Sequence, residues 1–152
     1  MESWKLPDEI KVLEAVSALY DGRLRVDRKN GQATCQSSDN QRQYTVKFDL
    51  SRKAITSDDN SAHWQGRLGY PAIAALIQQK VLPDNSKIGQ GLIGIPWREL
   101  NQRYKNNYKK TFAVVLEIAK GRGLSEKEIH DYQKTVIEAI RQKDFKKIKQ
   151  LR

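Results

Sequence analysis

Tyr44, Val46 and Phe48 alternate without a break with Thr45, Lys47 and Asp49, and a strict period of two admits a strand with one face buried and the other in water. The same alternation precedes it. Leu24 and Val26 are interleaved with Arg23, Arg25 and Asp27, Asn30-Gly31 supplies the positive φ angles of a tight hairpin turn, and Ala33 and Cys35 fall on the inward side of a second strand. Asp39-Asn40 makes a further turn, and Ser51-Arg52-Lys53 leads into a short strand around Ala54 to Ser57, ended by Asp58-Asp59-Asn60-Ser61. Four strands joined by such short connections form an antiparallel meander, because parallel neighbours need long crossovers. One apolar sheet face then has to be covered, and the rest of the chain must cover it.

The flanking segments carry helical spacing. Pro7 with Asp8 and Glu9 opens a first helix over 7–20, with Ile10, Leu13, Val16 and Tyr20 in phase and Gly22 at its close. Pro71 opens a second over 71–82, apolar all round and therefore packed centrally, against Leu24, Val26, Cys35, Tyr44, Val46 and Phe48, and Pro83-Asp84-Asn85 stops it. The stretch 83–95 has three glycines and no period, so it reads as a loop of about thirteen residues. Pro96 opens a long helix whose Trp97, Leu100, Tyr104, Tyr108, Phe112, Val115 and Ala119 share a face, ended by Gly121 and Gly123. Ser125 with Glu128 forms a capping box, and Leu124 with Ile129 the matching hydrophobic staple, for a last helix. Its stripe of Ile129, Tyr132, Val136 and Ile140 is lost at Phe145, Ile148 and Leu151, so a kink or a frayed tail begins near Asp144. The expected fold is α+β in a single domain over 1–152: an N-terminal helix, a four-stranded antiparallel meander and three C-terminal helices packed on one face, with 144–152 as a frayed basic tail.

Charge is the main functional signal. Residues 1–100 hold 14 basic and 12 acidic side chains, whereas 101–152 hold 14 basic and 6 acidic. The net charge of +10 is thus concentrated in the last third, and a concentrated excess of one sign attracts polyanions. At 100° per residue, Arg98, Gln102, Lys105 and Lys109 fall in one strip of the helix after Pro96, with Asn106 and Lys110 on its flank and Asn107, Tyr104 and Tyr108 among them. Glu99 is the one acid between 98 and 116. Arg141, Lys143, Lys146, Lys147, Lys149 and Arg152 add cations from the last helix. Such a surface fits phosphate-backbone contacts, and with no recognisable helix-turn-helix, RNA is expected ahead of DNA. The expected role is a non-catalytic nucleic-acid-binding module. An assembly factor docking on an acidic protein surface, and a small ligand-binding protein or enzyme using 83–95 and 63–70, are the alternatives.

The remaining motifs read more plainly. Gly89-Gln90-Gly91-Leu92-Ile93-Gly94 matches G-x-G-x-x-G, but no strand leads into it and the next helix begins only after Pro96, so no dinucleotide is expected there. In 63–71, Trp64 and Tyr70 are read as closing the core; the alternative is a stacking platform with Arg67 on a phosphate. Asp58, Asp59 and His63 could be drawn as a metal or acid/base cluster, but the run Ser57-Asp58-Asp59-Asn60-Ser61 reads as capping groups at a strand end and helix entry. His130 has no evident partner. Cys35, the lone cysteine, lacks a basic neighbour and reads as a small core residue. No cofactor or metal is expected. The absence of a signal-like apolar run and of paired cysteines gives the cytoplasm as the expected compartment.

Overall fold

The computed structural model describes residues 1–148. Helix α1 (Glu9–Tyr20) has Asp8 at its N-cap position in extended backbone, with no side-chain capping bond, so Pro7 directs the chain toward the helix instead of occupying its first turn. Every residue from Ile10 to Ala18 is buried, Lys11, Glu14 and Ser17 included. Strands β1 (Leu24–Asp27), β2 (Gln32–Gln36), β3 (Gln43–Asp49) and β4 (Ala54–Ser57) form the antiparallel meander in consecutive order. Leu24, Cys35 and Tyr44 stand in one cross-strand row, and Val26, Ala33, Val46 and Ser57 in the next. The alternation seen in the sequence is the alternation of the two sheet faces.

The first hairpin is wider than expected. Its loop is four residues, 28–31, and only Gly31 has positive φ (63°), because the Asp27 carboxylate holds Asn30 by its backbone and side-chain N–H groups at 3.3 and 2.7 Å. A Cβ at Gly31 would lie 2.6 Å from the Phe48 carbonyl oxygen. The loop backbone is pressed against β3, where the Phe48 N–H donates to the Gly31 carbonyl at 2.8 Å.

Helix α2 (Asn60–Gln65) is followed by α3 (Tyr70–Gln78). Helix α3 packs on the sheet with one side and on α1 with the other, as its wholly apolar sequence requires. It ends at Gln79, before Pro83, where Lys80 turns left-handed (φ 63°). The expected loop 83–95 instead contains a helix, α4 (Ser86–Gly91), started by the Asn85 side chain accepting from the Ile88 N–H at 3.1 Å. Ile88, Gly89, Gly91 and Leu92 are buried; the segment has no sequence period because it is too short to show one and is packed on several sides.

The expected long helix after Pro96 is two helices, α5 (Trp97–Arg103) and α6 (Tyr108–Gly121). Lys105 and Asn106 both adopt left-handed backbone (φ 52° and 61°), and the Asn107 side chain caps α6 by accepting from the Lys110 N–H. Asparagine tolerates that conformation and competes for backbone N–H groups, so the Asn106-Asn107 pair breaks a helix that apolar spacing alone would continue.

Helix α7 (Glu126–Lys143) starts at Ser125, which accepts from the Glu128 N–H at 3.1 Å, with Leu124 and Ile129 buried. The Glu128 carboxylate bonds Lys87 at 2.9 Å rather than returning to Ser125. Asp144, left-handed at φ 53°, terminates α7. The expected frayed tail does not begin there: Phe145 is buried and Lys146–Lys147 form β5, parallel to β4. The sheet therefore has five strands among the described residues. The Lys146 N–H donates to Lys53 (2.8 Å) and the Lys147 N–H to Glu2 (2.7 Å), so the N-terminal segment and β5 tie together through backbone groups that carry no sequence pattern. Residues 149–152, with Lys149 and Arg152, lie outside the described residues. No helix among the described residues is long and apolar enough to cross a membrane.

Candidate functional site

The buried charges of α1 mark the centre of the site. Lys11 and Glu14, one helical turn apart, form an ion pair (Nζ to Oε2 3.1 Å), and the Asn101 amide of α5 donates to Glu14 at 2.7 Å. The Lys11 ammonium also stands 4.8 Å from the Tyr108 ring centroid. Burial alone would lower the Lys11 pKa, but the Glu14 carboxylate and Tyr108 more than reverse it, so the ammonium is held charged. These groups line one end of a polar cleft of about 470 Å³ between α1, α5, the strand ends and the start of α2.

The opposite wall comes from the sheet and from α3. Arg23, Arg42 and Tyr44 lie there with Asp59 and Tyr70. Tyr44 and Tyr70 meet edge to face at 6.0 Å between centroids. Asp59 caps α2 by accepting from the Ala62 N–H and also accepts from the Ser57 hydroxyl; burial raises its pKa in spite of those bonds. Asp58 accepts from the Thr45 N–H at 2.8 Å. The capping reading of these aspartates is therefore their observed geometry. Cys35 is fully buried, and desolvation pushes its thiol up to about 11.

The predicted basic strip does not survive as a strip, because the α5–α6 break destroys the common helical phase. Arg98 is ion-paired with Asp39, whose carboxyl is held down to about 2 by the Ser37 hydroxyl, the Gln41 N–H and Arg98. Arg98 and Gln102 line the cleft with Asn106 and Tyr108. Lys105, Lys109 and Lys110 are exposed around the α5–α6 turn, and none has an acidic partner among the described residues. Arg141 pairs with Glu138, and Lys143 ends α7. Lys146 and Lys147 are strand residues, paired with Asp144 (2.6 Å) and Glu2 (3.2 Å), and Lys147 sits over the Trp4 ring. These last two serve the junction of the termini, not a helical cationic face.

The 63–71 segment divides. Tyr70 packs against the core as expected, but Trp64 is 76% exposed on the short α2, touching His63 alone among the aromatic rings. Arg67 reaches the Leu6 carbonyl and Asp8. His130 does have partners: Glu126 one turn earlier at 3.4 Å and the Phe112 ring. The glycines at 89 and 91 are packing positions, since a Cβ would lie 2.2 Å from the Tyr20 ring at the first and 2.4 Å from Leu124 at the second. That geometry accounts for them without a nucleotide.

Sequence reasoning passes over Lys11, Glu14, Arg23, Arg42, Tyr44 and Asn101 as site residues. One signal could have found the first two: opposite charges three residues apart at Lys11 and Glu14, embedded in Ile10, Val12, Leu13, Ala15 and Val16, imply a helix that buries its charges. No curated protein and no solved structure matches the chain. Residues 4–146 match the family described as uncharacterised conserved protein UCP014422, and the chain belongs to that family.

Proposed function

We propose that the protein is a non-catalytic nucleic-acid-binding module, for RNA ahead of DNA, working in the cytoplasm. The observation that carries the reading is the set of exposed cations Lys105, Lys109 and Lys110, unopposed by acids among the described residues, beside cleft-lining Asn106 and Tyr108. Arg103, Lys127 and Arg141 have carboxylate partners, whereas other exposed cations, Arg28, Lys29, Lys80, Lys120 and Lys134 among them, have none among the described residues. What sets the three lysines apart is that they lie within six positions of one another next to residues of the cleft. Unpaired cations on an exposed turn meet phosphates at little desolvation cost, and a buried unpaired thiol at Cys35 suits a reducing compartment.

The test is salt-dependent binding of a fluorescent single-stranded oligoribonucleotide. About four phosphate contacts give log K against log salt a slope of about −3, and replacing all three lysines by Ala flattens it by about two units. No binding at low salt, or a slope the triple substitution leaves unchanged, overturns the reading. Capture of a partner protein that survives nuclease would point instead to the acidic-surface alternative.

A further inference from the structure

Helix α5 holds two hydrogen-bonding groups that are buried and unused among the described residues, on side chains that line the cleft. Trp97 is 3% exposed and its indole N–H has no acceptor among the described residues; Asn101 spends its amide N–H on Glu14, leaving its carbonyl oxygen buried without a donor among them. They stand four positions apart on one helix, so they are neighbours on one face. A buried group without a partner is unfavourable, and here a donor and an acceptor are orphaned one helical turn apart on α5.

The other wall carries a second unused pair. The Arg23 guanidinium is held by Asp21 at 3.1 Å and by the Gln36 carbonyl at 2.7 Å, and its remaining terminal nitrogen is buried without a partner among the described residues. Arg42 is exposed and has no acidic partner among the described residues. Tyr44 and Tyr70 on the sheet side and Tyr108 beside Lys11 add aromatic surface to the lining.

Resting on the nucleic-acid reading for its occupant, we infer that this cleft holds one ribonucleotide. Each nucleobase offers an acceptor beside a donor on its pairing edge, which complements the Trp97 N–H and the Asn101 carbonyl. The phosphate lies toward Arg23 and Arg42, where a guanidinium donates to its oxygens. The cleft, at about 470 Å³, is within the range that encloses a ligand of this size. The cations at Lys105, Lys109 and Lys110 hold neighbouring phosphates when the nucleotide belongs to a strand.

Calorimetric titration with AMP, GMP, CMP and UMP, with inorganic phosphate, and with a ten-residue oligouridylate tests this on the full chain. Trp97→Phe keeps an aromatic side chain but removes the N–H together with the five-membered ring at a buried position; Arg42→Ala alters an exposed side chain and leaves folding intact. A monophosphate that binds, and binds at least tenfold more weakly to both variants, supports a free nucleotide as the occupant. Oligouridylate binding alone, with the same losses, supports a nucleotide within a strand. The smaller ring at a buried position lowers the thermal midpoint of Trp97→Phe by itself, so the loss counts as one of recognition when Arg42→Ala shows it at the parent's midpoint, and a loss confined to Trp97→Phe overturns the proposal. Binding of inorganic phosphate as tight as that of every nucleotide overturns the base contact. Oligouridylate binding that weakens in the triple lysine variant but is unchanged in Trp97→Phe and Arg42→Ala overturns the cleft while leaving the nucleic-acid reading standing. No binding of any probe removes both.

Discussion

Replacing Glu14 by Gln leaves the Lys11 ammonium inside the protein without its counter-charge, because Lys11 and Glu14 have side-chain exposures of only 11% and 3%. The Gln carbonyl still accepts from Asn101, so the change isolates the loss of charge. The Tyr108 ring at 4.8 Å from Lys11 offsets part of this loss but holds no formal charge. Breaking a buried pair from one side costs about 3–5 kcal/mol, whereas replacing both partners by apolar residues of similar volume is often neutral or stabilising. At about 2–4 °C per kcal/mol for a domain of this size, Glu14→Gln should lower the melting temperature by about 6–20 °C. The double variant Lys11→Met/Glu14→Leu should recover most of that loss. Urea denaturation of the parent, the two single variants and the double closes the cycle, with unchanged m-values confirming that the transition stays two-state. A cost below about 1 kcal/mol for Glu14→Gln, or a double variant no more stable than the single, would refute the account of this pair as a mutually dependent buried unit. Should the double variant be stable but lose oligoribonucleotide binding, the pair is retained for the cleft and not for the fold.

Gly89→Ala should destabilise by about 1–3 kcal/mol even though alanine favours helix, because the new Cβ meets the Tyr20 ring; a neutral result in urea denaturation would remove the close-packing role. Cys35 is buried with its thiol raised to about 11, so iodoacetamide should modify it at pH 8 only after denaturation, and rapid alkylation of the native protein would contradict that placement. The Asp59 carboxyl is raised above its ordinary 3.8 by burial, so its contribution to stability is greatest below that value and falls as pH rises through the raised pKa. The cost of Asp59→Asn should accordingly shrink between pH 3.5 and pH 7, and a cost that grows over this interval would reverse the assignment. Trp64→Ala should change stability by less than about 0.5 kcal/mol, given its exposure on α2; a larger loss would mean the indole packs on something.

Much of the fold is legible because its signals are local. The period-two rows through Val26, Ala33 and Val46, the apolar run of α3 and the Ser125 cap each depend on residues within a few positions of one another, and local geometry sets which face they present. The charge excess of the last third is likewise a property of composition. Tertiary structure decided the rest. Lys146 and Lys147 become a strand because Lys53 and Glu2 offer backbone carbonyls, and backbone pairing leaves no mark on side-chain pattern. Gly89 and Gly91 resemble a phosphate loop in one dimension and are contact points for Tyr20 and Leu124 in three. The break at Lys105-Asn106 cancels a helical wheel drawn through it, since angular position accumulates only along an unbroken helix. The cleft arises only when α1 brings Lys11 and Glu14 to Asn101, eighty-seven positions from Glu14 in the chain. A polar group's role depends on which partners the fold leaves it, so the unpaired Trp97 N–H, Asn101 carbonyl and Arg23 nitrogen appear only once every other contact has been placed.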